Sequence, residues 1–275
     1  MRCLLFALIM IAGLASAARA SEPPPGIAWQ GDFIQGGLVI GVAQPGITLR
    51  LGGHAVPVAP DGHFVFGFGR DEAASVPLQI DYGDGRSISL ALPVEQRQYH
   101  IQRIDGLPEV QVTPPPEVLD RIKRENEKIA AVRARGTPNL DFLQGWIWPA
   151  KGTVSGVYGS QRILNGHPKQ PHYGLDIAAP KGTPVVATTD GVVVLAEPDL
   201  YYTGGTVIID HGMGVTAAYL HMQTVLVKAG QRVRQGEQIG TVGATGRATG
   251  PHLDWRVNWF DVRIDPQRLL PKLRS

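Results

Sequence analysis

Cysteine is almost missing from this sequence of 275 residues, because Cys3 is its only example. Cys3 lies in an apolar N-terminal segment that is typical of a secretory signal, so we expect the mature chain to have no thiol. That expectation excludes disulfides, thiolate metal ligands and cysteine nucleophiles. The composition is compatible with an oxidising compartment such as the periplasm.

The N-terminus lacks an apolar run long enough to cross a bilayer. Arg2 supplies a positive start, residues 3–14 are apolar, and residues 18–20 (Ala-Arg-Ala) fit a signal cleavage site. We expect residues 1–20 to be removed, with cleavage after Ala17 as the alternative. An uncleaved anchor is a further alternative, but the run is shorter than the roughly 20 residues that span a membrane. The expected product is periplasmic, with no stable membrane anchor.

An excess of either charge is also missing. The full chain has 26 basic and 24 acidic residues, and loss of Arg2 and Arg19 with the signal removes the difference. A nucleic-acid partner, which normally needs a basic face, is therefore not expected. The 34 glycines and 22 prolines, together with few long apolar helical stripes, favour β-structure with many turns.

The mature chain divides into two β-rich parts joined by a charged segment. Residues 21–112 alternate short β-like runs with turn signals, which predicts an N-terminal β-sandwich-like domain. Residues 113–140 contain a Pro-rich linker and a predicted helix over 117–135, whose apolar stripe could pack on either domain or shield a cleft. Residues 141–275 form the second β-rich domain. The expected fold class is therefore all-β with one short linking helix.

Short motifs in the second domain carry side chains suited to metal chemistry. His172 and Asp176 are four residues apart, and an imidazole and a carboxylate at this spacing can converge on one ion from an irregular segment. His252 and Asp254 are two apart on a predicted strand, so they project from the same face. His221 ends another strand-like run and could join them. Each motif alone is weak evidence, whereas their order and surroundings together indicate a site.

The text around these motifs resembles the lysostaphin-like (M23) peptidoglycan metallopeptidases over about residues 146–270. Several independent motifs occur in the family's order, which makes the resemblance specific, while the N-terminal half is not covered by it. The matching segments are 156–159, 172–180, 182–185, 190–193, 207–212, 219–221, 243–246 and 250–253.

The resemblance implies a C-terminal lysostaphin-like β-sheet domain with a narrow groove, and one zinc ion held by three protein ligands. His172 and Asp176 match two of the ligands. His221 and His252 match the catalytic histidines that orient the attacking water and stabilise the developing oxyanion. The implied function is an exported zinc metalloendopeptidase that hydrolyses peptide bonds of peptidoglycan stems or cross-links. Other proteins of cell-wall division or remodelling are further expected partners.

Asp254 departs from the family pattern, which has a histidine as the third metal ligand at this position. A carboxylate is an acceptable zinc ligand, so we expect Asp254 to complete the metal site, although manganese or iron would tolerate it too. The alternative is a non-catalytic relative that regulates or binds cell-wall hydrolases because the metal is weakly held or lost. Arg256 is expected to point away from Asp254 and to form no salt bridge with it.

Other side chains of the second domain receive minor roles. We expect His211 to hold a turn rather than to bind metal, and His167 to lie in a loop that could approach the groove. Tyr201 and Tyr202 could line the groove wall or pack in the core. A third functional alternative is a carbohydrate- or peptide-binding protein in which the N-terminal domain dominates.

Overall fold

A computed structural model describes residues 22–106 and 114–271 of the chain. The predicted signal segment 1–20 and the start of the predicted linker lie outside these described residues. Within them, twenty strands accompany one α-helix and two short 3-10 helices, which confirms the all-β class with a linking helix. No helix in the two described ranges is long and apolar enough to cross a bilayer.

The N-terminal domain is built from antiparallel strands that face each other across one core. A three-stranded sheet has the order β1-β2-β5, and a four-stranded sheet has the order β4-β3-β6-β7. Apolar and polar residues alternate along β6, so Val76, Leu78 and Ile80 point inward while their neighbours face solvent. The strands are β1 (Ile27–Gly31), β2 (Leu38–Ala43), β3 (Thr48–Leu51), β4 (His54–Val56), β5 (His63–Gly67), β6 (Ser75–Asp81), β7 (Ser87–Pro93) and β8 (Ile101–Ile104).

The predicted linking helix is present as α1 (Pro116–Arg133). Pro116 at its first position suits the missing N–H, and Glu117 and Arg133 complement the helix dipole at the two ends. The apolar stripe packs through Ile129 and Val132 on the second domain, in a cluster with residues of the large sheet. Of the two domains on which the helix could pack, it is the second that α1 contacts through this stripe. The partners in that cluster are Leu195, Leu200, Ile208, Ala218 and Leu220.

The second domain contains one ten-stranded sheet, while its strands β10 and β11 form a separate three-stranded sheet with β8. The main path of the ten-stranded sheet has the order β17-β14-β15-β16-β19-β12-β9, while β18 pairs with β13 and β16, and β20 pairs with β19. Short 3-10 helices cover Asp141–Gln144 and Pro266–Leu269. The strands are β9 (Thr153–Gly156), β10 (Gln161–Leu164), β11 (His167–Pro168), β12 (Leu175–Ala178), β13 (Pro184–Val186), β14 (Gly191–Leu200), β15 (Gly204–Gly212), β16 (Val215–Val225), β17 (Arg232–Val233), β18 (Gln238–Val242), β19 (His252–Trp259) and β20 (Val262–Ile264).

The two predicted domains are joined by more than the linker. Strand β8, which the sequence assigns to the first domain, pairs in parallel with β10 of the second. Arg97 donates to the carboxylate of Asp265 at 2.8 Å, and that carboxylate is almost fully buried. A Cβ on Gly67 would lie 2.3 Å from Ile264 Cδ1, so the domains meet at close range there. The predicted domain boundaries at residues 112 and 140 remain predictions, because strand β8 of the first domain pairs with strand β10 of the second.

The interdomain ion pair gives a stability prediction. Arg97→Met should lower the free energy of unfolding by about 2 kcal/mol, because it leaves the buried carboxylate of Asp265 without its guanidinium. Urea denaturation measures this change. Arg86→Met is the control, since Arg86 pairs with Asp84 on the exposed surface and should change the free energy of unfolding far less. Equal effects of the two substitutions would contradict the interdomain role.

Candidate metal and peptide site

Three neighbouring strands bring the predicted site residues together. Asp176 on β12 is the cross-strand partner of Asp254 on β19, and Asp254 also faces Leu220 on β16. His172 lies in the loop before β12, where its backbone N–H donates to the Ser160 carbonyl at 2.8 Å. The sheet register therefore places residues that are distant in sequence around one point.

His172, Asp176 and Asp254 form a candidate metal-binding group. One ligand atom from each lies within 4.8 Å of the others, and all three residues are buried. Tetrahedral zinc bonds of about 2 Å place ligand atoms roughly 3.3 Å apart, so this upper limit allows a site somewhat wider than ideal. The predicted ligand set is thus gathered at one place, although its metal remains a proposal.

Unsatisfied buried atoms show that part of this group fits a cation. His172 Nε2 and Asp176 Oδ1 lie 3.1 Å apart, are sealed from solvent, and have no hydrogen-bond partner among the described residues. Such atoms are costly unless a ligand or ion completes them. His172 and Asp176 therefore fit a metal ion. No atom of Asp254 is unsatisfied in this way among the described residues.

The side chain of Arg256 contradicts the sequence prediction. We expected Arg256 to point away from Asp254, but residues two apart on a strand share a face, so that prediction was wrong. Arg256 Nε donates to both carboxylate oxygens of Asp254 at 3.1 Å, and Nη2 donates to Oδ2 at 2.6 Å. We call these three hydrogen bonds the fork of Arg256 on Asp254. Asp254 is 1% exposed, so the carboxylate in this fork is buried. The predicted third ligand is already neutralised by a guanidinium.

Asp176 has a guanidinium partner as well. Arg162 Nη2 donates to Asp176 Oδ2 at 2.8 Å, which leaves Oδ1 facing His172. The arrangement differs from that of Asp254, because only one oxygen of Asp176 is engaged by an arginine. Asp176 therefore retains a free ligand atom, whereas Asp254 shares both of its oxygens.

Burial and charge act in opposite directions on Asp254. Burial pushes its pKa up, but the charges of Arg256 and His172 outweigh burial and hold the pKa well below its ordinary value. The carboxylate is consequently ionised at neutral pH, and its negative charge is balanced inside the protein.

The two predicted catalytic histidines lie side by side. The rings of His221 and His252 have centroids 4.8 Å apart. Each Nδ1 faces a carbonyl oxygen at 2.8 Å, from Thr245 for His221 and from Gly250 for His252. A carbonyl only accepts, so each Nδ1 carries a proton, and Nε2 of a neutral ring is free to accept. Burial lowers the pKa of His221 to about 4, which keeps that ring neutral.

Two local backbone features hold this arrangement. His221 has φ of 64°, a left-handed conformation that is uncommon for a residue with a side chain, within β16. Gly174 approaches β19 so closely that a Cβ there would lie 2.1 Å from Asp254 Oδ1 and 2.8 Å from Arg256 Cγ. The fork on Asp254 thus needs a glycine opposite it.

A cavity of about 650 Å³ opens over these residues. Its size suits a small ligand or a peptide segment. The cavity wall carries six cationic side chains, which the sequence analysis did not predict because they come from separate elements of the fold. The cationic lining residues are Arg133, Arg162, Lys169, Arg247, Arg256 and Arg263.

The remaining residues from the sequence analysis lie in three different settings, namely the cavity wall, the exposed surface and the buried core. Tyr202 lines the cavity, with the guanidinium of Arg247 4.5 Å from its ring centre and the ring of Tyr201 5.0 Å away. His167 is exposed and does not line this cavity. His211 lies at the end of β15 rather than in a turn, fully buried, with Nδ1 2.6 Å from the Asp190 carbonyl and its ring against Trp146. The expected structural role of His211 agrees with these contacts.

Comparison with known proteins places the chain in a family. The profile of "Peptidase family M23" matches residues 170–266. A solved structure of a putative peptidase M23 from Pseudomonas aeruginosa is 30% identical, covers 86% of this chain and 94% of its own, and has a TM-score of 0.67. This chain therefore belongs to peptidase family M23, as the sequence motifs predicted.

An endopeptidase and a hydrolase activator each resemble part of this chain. The peptidoglycan DD-endopeptidase ShyA of Vibrio cholerae is 48% identical over 87 residues, which is 32% of this chain and 20% of ShyA. The murein hydrolase activator NlpD of Escherichia coli is 35% identical over 130 residues, which is 47% of this chain and 32% of NlpD. The chain thus spans a fifth to a third of these relatives, which include both an endopeptidase and an activator.

Buried His211 makes the stability of the fold depend on pH. Burial lowers its pKa from 6.5 to about 4, so between these values the unfolded chain takes up a proton that the folded chain does not. Stability is full above pH 6.5, and about 3 kcal/mol is lost as pH falls toward 4. His211→Gln should reduce this pH dependence in urea unfolding at a series of pH values, and the part that remains comes from His221, whose pKa burial also lowers to about 4.

Substitution of the exposed His54 provides the control for that measurement. His54→Gln should keep the pH dependence of the unmodified chain. An unchanged slope in His211→Gln would show that the buried imidazole does not cause the loss.

Proposed function

We propose that this chain binds peptidoglycan peptides in its groove and serves cell-wall hydrolases as a non-catalytic partner, rather than working as a zinc endopeptidase. The observation that carries the proposal is the fork of Arg256 on Asp254. The fork engages both oxygens at the predicted third ligand position, and its positive charge lies beside the place where a metal would bind.

The balance of charges supports this interpretation. Asp176 and Asp254 each have a guanidinium partner, and Asp176 is the one acidic residue among the described residues that line the cavity. A dication roughly 5 Å from one guanidinium meets a repulsion of about 7 kcal/mol at an effective dielectric constant of 20, before further screening. Loss of an outer residue that orients a ligand costs metal affinity roughly 10- to 100-fold, or about 1.4–2.8 kcal/mol. Repulsion therefore outweighs any benefit that Arg256 gives by orienting Asp254.

The comparisons are compatible with this role. NlpD, which resembles nearly half of this chain, carries the name murein hydrolase activator. The groove offers the Nε2 acceptor of the neutral His221 ring to an N–H group of a peptide, and its cationic wall offers donors to carboxylates. Such a groove can hold a peptide without hydrolysing it.

A second candidate function is the zinc metalloendopeptidase that the sequence predicts. The specific observation in its favour is the pair of unsatisfied buried atoms on His172 and Asp176 beside Asp254. In that case these three residues would hold the ion, which would supply a Lewis acid and a water of lowered pKa. His221 and His252 would accept a hydrogen bond from the water at Nε2, and a ring that takes up a proton there would then donate to the developing oxyanion. The name of ShyA is compatible with this candidate.

The effect of Arg256 on metal binding separates the two candidates. Arg256→Gln should raise zinc affinity by at least about tenfold, because it removes the competing charge and leaves Asp254 free for the ion. Competition with a chromophoric chelator measures the dissociation constant. Arg247→Gln is the control, because it removes the same charge from the same cavity. Arg247 stacks on Tyr202, so we expect a smaller gain in zinc affinity from this substitution. A loss of affinity in Arg256→Gln would instead make Arg256 a positioning residue of a working metal centre.

The activity itself is tested on cross-linked peptidoglycan. The full mature chain is incubated with zinc, with or without a chelator, and the muropeptides are separated by chromatography. We expect the cross-linked fragments to persist and the protein to sediment with the peptidoglycan. Loss of cross-linked fragments that the chelator blocks would overturn the proposal in favour of the endopeptidase.

A double variant checks that the groove can be given a metal. Asp254→His with Arg256→Gln installs the imidazole that the family pattern has at this position and removes the fork. This variant should bind zinc more tightly than the unmodified chain by the same chelator competition. No gain would show that the fork is not what limits metal binding.

A further inference from the structure

Three arginines from separate elements line the cavity and lie near enough for their charges to act on one another. Arg133 is the last residue of α1, Arg256 lies on β19, and Arg263 lies on β20. All three line the same cavity, together with Tyr173. We call them the arginine cluster. Their meeting depends on the docking of α1 on the large sheet, since Arg133 follows directly after the buried Val132.

The positive charge of this cluster is not balanced within the protein. Arg256 is paired with Asp254, but neither Arg133 nor Arg263 has a salt bridge among the described residues. Arg133 Nε is sealed from solvent and has no hydrogen-bond partner there. Arg263 donates from Nη1 to Asn258 Oδ1 at 3.2 Å and lies 5.6 Å from the ring centre of Tyr173. Among the described residues, the pair of Arg256 with Asp254 is thus the one salt bridge of the arginine cluster.

The protein holds these side chains together at an energetic cost. Burial lowers the pKa of Arg263 to about 10, and the charge of Arg256 adds to that effect. Burial also lowers the pKa of Arg133 well below its ordinary value, with Arg263 and Arg256 contributing. Unpaired buried cations are unfavourable, and a bound anion would relieve both the desolvation and the mutual repulsion.

We propose that Arg133, Arg256 and Arg263 form a subsite that binds a free carboxylate of a peptidoglycan stem peptide. The inference rests on the proposed function, because the groove's peptide ligand supplies the carboxylate. Guanidinium groups bind planar carboxylates through paired N–H donors, which gives direction as well as charge. The subsite lies next to Asp254, so the carboxylate would be held in the same cavity as His172, His221 and His252.

The subsite has a consequence for ligand choice. A carboxylate on the ligand brings a negative charge that offsets the positive charge of the arginine cluster, whereas the corresponding amide brings no charge. Charge-assisted hydrogen bonds contribute about 1.5–3 kcal/mol, which corresponds to roughly 10- to 100-fold in affinity. The full chain should therefore discriminate strongly between the acid and the amide forms of one peptide.

The test compares two synthetic stem tetrapeptides by isothermal titration calorimetry in the presence of a chelator. One peptide has free carboxyl groups, and the other has every carboxyl group amidated. The full chain should bind the acid at least about tenfold more tightly than the amide. Arg133→Gln and Arg263→Gln, made separately, should each reduce this preference severalfold. Arg124→Gln, an exposed change on the same helix, should leave it intact.

Thermal unfolding of each variant accompanies the titrations. Arg133→Gln removes an unpaired cation, so its melting temperature should not fall below that of the unmodified chain. The acid peptide should raise the melting temperature of the unmodified chain more than the amide does, because it binds the folded state more tightly. This readout shows that a lost preference does not come from unfolding.

The outcomes separate this inference from the proposed function. Equal affinity for acid and amide in the unmodified chain, or an equal loss in Arg124→Gln and Arg133→Gln, would overturn the subsite. Chelator-sensitive cleavage of peptidoglycan with the acid preference preserved would overturn the non-catalytic role and leave the subsite standing. The titration contains no metal and therefore does not depend on that result.

Discussion

The ion pair between Asp254 and Arg256 determines what the rest of this site can do. Both residues project from the same face of β19, and Asp254 is buried, so the guanidinium and carboxylate neutralise each other where water is scarce. A buried carboxylate without that partner would be strongly destabilising. The pair therefore holds the third ligand position in a form that is stable without metal. His172 and Asp176 keep unsatisfied atoms beside it, but the place between them also faces a positive charge.

The fold supports this pair from several directions. β12 and β16 flank β19 and set the register of Asp176 and Leu220 against Asp254. Gly174 leaves the space that the fork occupies. Helix α1 adds Arg133 to the cavity wall while its apolar face packs on the sheet. The linking helix is thus part of the groove, and the charge of the groove depends on its docking.

Much of the fold was predictable from local patterns. Alternating apolar residues and turn signals predicted the strands, and the stripe of α1 predicted a helix within two residues of its observed ends. The motifs around His172, His221 and His252 predicted which side chains meet, because their order is specific. The parallel pairing of β8 with β10 was not predictable, since long-range pairing leaves no local signal.

The electrostatics of the site were the part that sequence reasoning missed. The strand period of two puts Arg256 on the face of Asp254, so this contact was available from the spacing and was assigned to the opposite face in error. Arg133 and Arg263 offered no such signal, because their meeting depends on how α1 and β20 pack. The predicted metal ligands are gathered as expected, whereas the charge around them changes the function that the site supports.

Crystals of the full chain grown with saturating zinc would test the central claim most directly, through anomalous scattering at the zinc absorption edge. The account predicts no zinc peak between His172, Asp176 and Asp254, with Arg256 still forked on Asp254. An ordered zinc ion at that position, with an Asp254 oxygen as a ligand and Arg256 displaced or donating from behind, would contradict it.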